Sequence, residues 1–235
     1  MSSIAILGPG RQGTAIGQLF ASHGVDVILY HRDPAKADRA RAAIAGVARG
    51  AAVRTVADLP AAADAAEVLA LTTLWGDAQR SVIGGLGDAL IGKTLIDVSN
   101  PLDVVGGRII PRRPAEGSAG GFVATLLPTG AGHVKAFSNL ATDFINDGAD
   151  HTPPAVLPFL ADSAQTADAV RPLLARTGWQ PWLAGGIDRS ADLEIGGSMN
   201  QIQGRYGRAR LDAAEFAAHF GPEITPAATT NGTTR

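Results

Sequence analysis

Residues 3–13 read SIAILGPGRQG and decide the fold. The apolar run at residues 3–7 is short and uninterrupted, which is typical of a strand buried on both faces. After the glycine-rich turn, residues 13–23 carry apolar side chains at helical spacing, and Gly24 is suited to end that helix. Residues 25–30, VDVILY, predict a second strand. The chain therefore begins with a predicted strand, glycine-rich turn, helix and strand.

The same alternation continues through the next seventy residues. It predicts strands at 51–56, 67–73 and 94–98, and helices at 34–46, 58–66 and 77–90. Strands that alternate with helices at this spacing form parallel β–α–β units. We therefore expect an α/β fold with a doubly wound, mostly parallel sheet.

Composition and charge narrow the function classes. Hydrophobic residues make up 46% of the 235 residues, which indicates a folded chain. The formal charge of −2 predicts no general attraction to nucleic acid or to an anionic membrane. The absence of cysteine excludes disulfides, thiolate nucleophiles and thiolate metal sites. Because no signal peptide or membrane-spanning stretch is evident, we expect a cytoplasmic protein that acts on a small molecule.

The turn at residues 8–13 has the pattern G-x-G-x-x-G, which is specific only where it joins a strand to a helix, as here. Gly8 permits the tight turn, Gly10 lets the backbone approach a pyrophosphate, and Gly13 lets the helix pack against the strand. The N-terminus of the helix offers N–H donors to an anion. A purely structural turn is the alternative. The predicted phosphate-binding residues are Gly8, Pro9, Gly10, Arg11, Gln12 and Gly13.

The end of the second strand indicates which dinucleotide binds. An acidic residue at this point bonds the ribose 2′-hydroxyl of NAD, whereas an arginine accommodates the 2′-phosphate of NADP. Here His31 and Arg32 occupy the position, Asp33 comes later, and Lys36 lies one helical turn on. A guanidinium can hold a phosphate through two hydrogen bonds. We therefore expect NADP, with a solvated surface charge as the alternative for Arg32.

Two further turns are expected at the same edge of the sheet, because ligands of open α/β sheets bind beyond the carboxyl ends of the strands. Thr72, Thr73, Leu74 and Trp75 follow the fourth strand, and Asn100 and Pro101 follow the fifth. We expect all six to contact the cofactor, with a core or interface position as the alternative for Trp75.

Acid–base candidates are few. None of the histidines (His23, His31, His133, His151 and His219) is paired with a carboxylate in a familiar motif, and we expect His133 on the surface. Patterns of serine hydrolases and of metal-dependent hydrolases are absent. The basic run at residues 203–210 is interpreted as a solvated face or a subunit contact rather than an anion site.

Beyond residue 101 the pattern is less regular. It predicts a loop or short hairpin over 106–114, strands over 133–139, 155–160 and 179–183, and helices over 118–127, 163–176 and 188–196. We expect residues 1–140 to form a Rossmann-type NADP-binding domain and residues 141–220 a small C-terminal α/β lobe for substrate binding and dimerisation. Residues 221–235 are polar and aperiodic, which predicts disorder.

Four segments carry a family resemblance: GPGRQGTAIGQLFASHG (8–24), HRDPAKA (31–37), DVSNPLD (97–103) and HVKAFSNL (133–140). Together, over roughly residues 3–196, the chain resembles the NADPH-dependent reductases of the deazaflavin coenzyme F420. The chain departs from the family in its first turn, which reads GPG where members often have GTG or GGT, in residues 146–154, and beyond Gly196.

The resemblance implies a homodimer that transfers hydride directly between the nicotinamide and the deazaflavin, with little acid–base help. It adds Thr14 to the phosphate turn and places Asn100 and Pro101 beside the nicotinamide. Ser138 and Asn139 match the strand end that faces the deazaflavin, so both are expected to bind substrate. Asn139 and Thr73 are the nearest candidates for a catalytic role.

Two other functions remain open. The first is an NADPH-dependent reductase of a small imine, ketone or alkene on the same domain, although about 40 residues after Gly196 are too few for the long helical domain of such enzymes. The second is a non-catalytic NADP-binding module. We expect no metal in any of the three cases.

Overall fold

A computed structural model describes residues 3–202 and 208–224. The first half contains five strands and four helices: β1 (Ser3–Leu7), α1 (Arg11–Ser22), β2 (Asp26–Tyr30), α2 (Pro34–Ala45), β3 (Val53–Thr55), α3 (Leu59–Ala65), β4 (Val68–Leu71), α4 (Asp77–Leu86) and β5 (Thr94–Asp97). The second half adds β6 (Leu102–Val105), β7 (Arg108–Pro111), α5 (Ala119–Ala124), β8 (Gly132–Lys135), α6 (Phe144–Asp147), β9 (Val156–Ala161), α7 (Ala164–Ala175), β10 (Gln180–Gly185), α8 (Ser190–Leu193), α9 (Ser198–Ile202) and α10 (Ala213–Phe220).

Eight of the strands form one sheet in the order β3-β2-β1-β4-β5-β8-β9-β10. The strands from β3 to β8 in this order are parallel to one another. β9 runs antiparallel to β8, and β10 is parallel to β9. The predicted α/β fold with a doubly wound, mostly parallel sheet is confirmed, and its strand order from β3 to β8 is that of a Rossmann-type sheet.

The central strands of the sheet are apolar on both faces, as is typical of parallel strands that are covered by helices on both sides. In β1, Ile4 and Ile6 pack into the core on one face, together with side chains of α1, α2 and α7. Ala5 and Leu7 pack on the opposite face, against side chains of α3, α4 and α5. Alternate residues of a strand point to opposite faces, so helices must cover both sides of this sheet.

The C-terminal part extends the same sheet. A third apolar cluster joins β9 and β10 to the last helices and includes Trp182 and Phe216. Residues 221–224 are described and contact β10: the Glu223 carboxylate accepts a bond from the Leu183 N–H, and the Ile224 N–H donates to the Leu183 carbonyl. The disorder of the tail stays a prediction. Residues 225–235 lie outside the described part of the chain. The division of the chain near residue 140 stays a prediction.

Two predicted elements end earlier than expected. The strand predicted over 133–139 stops at Lys135, and Phe137 then takes a left-handed backbone conformation (φ +63°) that turns the chain. The helix predicted over 77–90 ends at Leu86, where Gly87 also has a positive φ. Where a loop or short hairpin was predicted over 106–114, the antiparallel pair β6–β7 forms a hairpin over residues 102–111, which begins four residues earlier. Within residues 3–202 and 208–224, no helix combines the length and apolarity needed to cross a membrane.

Candidate active site

A cleft of about 570 Å³ opens at the carboxyl ends of β1, β2, β4 and β5. Twelve of the predicted cofactor-binding residues line it: Gly8, Gly10, Arg11, Gln12, His31, Arg32, Lys36, Thr72, Thr73, Leu74, Trp75 and Asn100. The other lining residues are Tyr30, Leu59, Ala78, Ser81, Val82, Val98, Ser99, Leu102, Val104 and Thr142. The fold therefore brings together the segments that follow four strands, as expected for strand ends of a parallel sheet.

The three glycines of the first turn have different surroundings. Gly8 has a φ of +78°, and a Cβ there would lie 2.5 Å from Cγ2 of Thr73. A Cβ on Gly13 would lie 2.4 Å from Oγ1 of Thr72. A Cβ on Gly10 would meet only a carbonyl oxygen at 3.9 Å. The outer two glycines are therefore needed for the turn and for helix packing, whereas Gly10 leaves open space at the cleft.

The N-terminus of α1 fits an anionic group. Gly10 caps this twelve-residue helix without a side-chain hydrogen bond, and its first turn carries no acidic residue. The first N–H groups of a helix lack intrahelical partners and stand at the positive end of its dipole. Since Gly10 also leaves room beside them, the turn can hold a pyrophosphate.

The residues after β2 favour NADP over NAD. The Asp33 carboxylate caps α2 by accepting the Ala35 N–H at 3.0 Å, so it is engaged within its own helix. Nδ1 of His31 accepts the Asp33 N–H, which leaves its Nε2–H free to donate. Arg32 and Lys36 are exposed at the cleft and form no ion pair with a described residue. Two uncommitted cations with no competing carboxylate suit a phosphate.

The inner wall of the cleft contains polar atoms that lack partners. Thr73 Oγ1, Trp75 Nε1 and Ser99 Oγ are buried, and none of them has a hydrogen-bond partner among the described residues. An unpaired buried polar group costs about 1–3 kcal/mol, so such groups are suited to bind a ligand. The Trp75 ring also packs edge-on against Phe122, with 5.8 Å between ring centroids. Trp75 thus forms part of the wall.

Some predicted site residues lie elsewhere. Pro9 is buried behind the turn, Gly13 packs against β4, and Thr14 lines a separate shallow depression beside α1. Pro101 does not line the cleft; its carbonyl accepts the Arg112 N–H.

The substrate contacts expected from the Ser138 and Asn139 side chains are not formed by this structure. Both residues are buried and neither lines the cleft, because β8 ends at Lys135 and the turn at Phe137 directs the chain inward. The Ser138 carbonyl instead accepts a hydrogen bond from Asn100 Nδ2 at 2.9 Å. Asn139 is fully buried and does not line the cleft, so it is not in place as a catalytic group there, and both of its amide atoms lack a partner among the described residues.

The histidines take no part in the inner end of the cleft, and one expectation about them is wrong. His133 is buried (2% exposed) rather than on the surface, and burial lowers its pKa to about 4 despite the nearby Asp97. His23 does meet a carboxylate: its Nε2 lies 3.0 Å from Asp150, remote from the cleft. His151 bonds the Asp147 carbonyl, and His219 lies in α10.

The basic run is only partly described, because residues 203–207 lie outside the described part. Arg208 pairs with Asp143 and Arg210 with Asp147, so both cations are already neutralised within the chain. The hydrogen bond from Arg208 lowers the pKa of Asp143. Among the described residues, no cluster of side chains is suited to hold a metal ion.

Sequence reasoning missed a set of buried charges behind the fifth strand's turn. Lys135 Nζ lies 2.8 Å from the Asp97 carboxylate and 3.1 Å from that of Glu194, and all three side chains are buried. Burial alone would raise the pKa of Asp97, but Lys135, together with smaller effects of His133 and Ser99, outweighs burial, and the pKa lies below its usual value. The sequence did carry a sign of this cluster: two apolar strands, TLID (94–97) and GHVK (132–135), end in the charged residues Asp97 and Lys135. A charged residue within a buried strand needs a partner.

The chain is similar in sequence to NAD(P)-linked oxidoreductases. Residues 3–101 match the family model described as NADP oxidoreductase, coenzyme F420-dependent. A glycerol-3-phosphate dehydrogenase [NAD(P)+] of Pseudomonas putida is 33% identical over 106 residues, which are 43% of this chain and 31% of that protein. The chain therefore spans only about a third of the curated relatives that it matches.

Solved structures share the fold over most of the chain. A hypothetical protein from Sinorhizobium meliloti has a TM-score of 0.71 at 24% identity, covering 84% of this chain and 92% of the other. A proposed F420-dependent NADP reductase from Arthrobacter sp. FB24 has a TM-score of 0.65 at 24% identity, with coverages of 88% and 96%. A reductive aminase from Aspergillus terreus, solved with NADPH, has a TM-score of 0.61 at 21% identity, covering 88% of this chain and 62% of the aminase.

The sequence match and the fold agree with the geometry of the cleft. Residues 3–101 are thus similar in sequence to the NADP oxidoreductases described as coenzyme F420-dependent, and the fold is shared with a proposed reductase of that kind.

Proposed function

We propose that the protein is an NADP(H)-dependent oxidoreductase that exchanges hydride between NADP(H) in the cleft and a deazaflavin of the F420 type. The observation that carries the proposal is the set of groups suited to bind phosphates at one end of the cleft. There the open turn at Gly10 meets the cations Arg32 and Lys36, while Asp33 is occupied as a helix cap.

Different residues of the cleft would bind different parts of NADP(H). The α1 N-terminus would hold the pyrophosphate, and Arg32, Lys36 and His31 Nε2–H the 2′-phosphate. The nicotinamide would then lie at the other end, against Thr73, Ser99 and Asn100. There the free Thr73 and Ser99 hydroxyls and the Trp75 N–H can bond its carboxamide. NADPH supplies the hydride when it is bound.

The second substrate is proposed to bind along an apolar wall next to this end. Leu74 and Val104 are large apolar residues that are more than half exposed, and both line the cleft together with Leu102. Such surfaces suit a flat ring, which could stack there against the nicotinamide. The proposed position replaces the one expected at Ser138 and Asn139, whose side chains are buried.

The ionisable groups of the cleft favour hydride transfer by positioning. Those that line it are Arg11, Tyr30, His31, Arg32 and Lys36, and all come from the first turn or from the end of β2 and the start of α2. No carboxylate or histidine lines the nicotinamide end among the described residues. Transfer between two rings needs alignment rather than a proton donor, whereas reduction of a ketone or imine usually employs a general acid.

A reductase of a small imine or ketone is the second candidate, because a reductive aminase shares the fold. One experiment separates it from the deazaflavin reaction and from a binding-only module. The protein is mixed with NADPH and deazaflavin while the absorbances of both are followed. Coupled changes support our proposal. NADPH oxidation that needs a ketone plus amine, and does not occur with deazaflavin, would support the second candidate. Binding of NADPH without turnover would indicate a module without catalysis.

The homodimer stays a prediction.

A further inference from the structure

A cluster of buried charges lies directly behind the nicotinamide end of the cleft. It consists of Lys135 at the end of β8, Asp97 at the end of β5, and Glu194 just after α8. A buried ion pair contributes little net stability, because the desolvation of both partners offsets their attraction. The presence of three such charges therefore calls for a reason other than stability.

The cluster holds both backbone groups of Ser99. The Ser99 N–H donates to Oδ1 of Asp97 at 2.8 Å. The Ser99 carbonyl accepts a hydrogen bond from Lys135 Nζ at 2.7 Å. Since Lys135 also bonds the other oxygen of Asp97, one ammonium group fixes this turn from two directions.

The next residue is held from the same side. Oδ1 of Asn100 accepts the N–H of Ile195 at 2.6 Å, and Ile195 directly follows Glu194. The Glu194 carboxylate is itself fixed by the N–H groups of Ala119 and Gly120 in α5. The cluster therefore ties the turn after β5 to β8, to α5 and to the segment at 194–195.

We propose that Lys135 is a positioning residue for hydride transfer. It touches no ligand, because it is fully buried and does not line the cleft. Its three bonds set where Ser99 and Asn100 stand, and these two residues do line the cleft. A displacement of about 1 Å at a reacting centre can lower a rate by about two orders of magnitude. The inference rests on the proposed function, which puts the nicotinamide against this turn.

The test uses the double variant Lys135→Met/Asp97→Asn. It removes one charge of each sign, so the net charge of the cluster is unchanged, and the amide introduced at position 97 still offers an oxygen to the Ser99 N–H. Val170→Ala is the control, because Val170 is buried in the core and lies away from the cleft. Both variants are compared with the wild type in melting temperature, NADPH affinity, kcat, and hydrogen exchange at the Ser99 and Ile195 amides.

We expect the double variant to bind NADPH within about threefold of the wild type, since the phosphate contacts are untouched. Its kcat should fall by about tenfold or more, and the Ser99 and Ile195 amides should exchange at least about tenfold faster. The control should show neither change. A smaller effect on either kcat or exchange overturns the proposal, as does an equal effect in Val170→Ala.

The exchange measurement separates this proposal from the proposed function. If the wild type binds NADPH but transfers no hydride to any acceptor, the proposed function is wrong, and exchange at the two amides alone decides whether Lys135 positions the turn. If the double variant does not fold, Glu194→Gln takes its place, because it weakens the contact to Lys135 and leaves both partners of Ser99 present. We then expect faster exchange at the Ile195 amide and a fall in kcat smaller than in the double variant, and the absence of either change overturns the proposal.

Discussion

The two ends of the cleft are built in different ways. The phosphate end comes from one short stretch, residues 8–36, and its cations are exposed. The proposed nicotinamide end is a turn at Ser99–Asn100 whose position depends on partners as far as 95 residues away. The groups that face a ligand at the first end therefore come from one local stretch of sequence, while those at the second end are positioned by residues distant in the chain. Substitutions at each end can test the two statements separately.

The largest effect is expected at the phosphate end, where the turn has no spare room. In Gly13→Ala the new Cβ would lie 2.4 Å from Oγ1 of Thr72 and 3.2 Å from Cγ2 of Ile6. Because the obstacle includes the end of β4, α1 must shift, and we expect the free energy of unfolding to fall by about 3 kcal/mol. NADPH affinity should fall with it. Chemical denaturation and a binding titration measure both quantities.

Gly84→Ala is the matched control for that change. Gly84 lies in α4, and a Cβ there would meet nothing within 4 Å. Alanine is the better helix former, so we expect a gain of about 0.5–1 kcal/mol. If the two substitutions change stability equally, close packing of the first turn is not what requires Gly13.

The second effect concerns the buried side of the nicotinamide end. The pKa of His133 is lowered to about 4 by burial, so between pH 6.5 and 4 the unfolded chain binds a proton that the folded chain does not. The stabilisation is complete above pH 6.5 and is lost as the pH falls towards 4. We expect a loss of up to about 3 kcal/mol in this window.

Urea unfolding of the wild type and of His133→Leu at pH 7 and pH 4.5 measures this loss. The variant should show a smaller decrease in stability between the two pH values. Titration of Asp97 does not add to this difference in stability, because the lowered pKa of Asp97 means that its own effect on stability falls at more acidic pH. An equal decrease in both proteins would show that another group titrates in the window.

The two ends of the cleft also differ in how well the sequence predicts them. The glycine spacing and the apolar runs predicted the strands of the sheet and the phosphate end, since the cleft-lining residues of that end lie within residues 8–36. The turn at Phe137 was missed because a left-handed residue within an apolar run leaves no sequence signature. Ser138 and Asn139 were therefore placed at a strand end, although they are buried. The pairing of Lys135 with Asp97 and Glu194 became visible only once the strands were adjacent.

The third prediction tests the charge at the phosphate end. Arg32→Ala should weaken NADPH binding by about 1–3 kcal/mol, the range of a charge-assisted hydrogen bond, and leave NADH binding nearly unchanged. Arg54→Ala is the control, because Arg54 is an exposed arginine on the neighbouring strand β3 and does not line the cleft. Titration of both cofactors measures the difference. An equal loss of affinity for NADPH and NADH would show that Arg32 does not contact the 2′-phosphate.

The smallest effect is expected from substitutions of His133, His151 and His219. This effect decides whether the reaction at the proposed nicotinamide end needs a proton donor. His151 and His219 lie outside the cleft, and His133 is buried away from it. If hydride passes directly between two stacked rings, no side chain has to deliver a proton. His151→Ala, His219→Ala and His133→Leu should then each change kcat at neutral pH by less than about tenfold. A fall of about a hundredfold in any one of them would point to a general acid. The nicotinamide end would then be a site of ketone or imine reduction, and the deazaflavin would have to be given up as the second substrate.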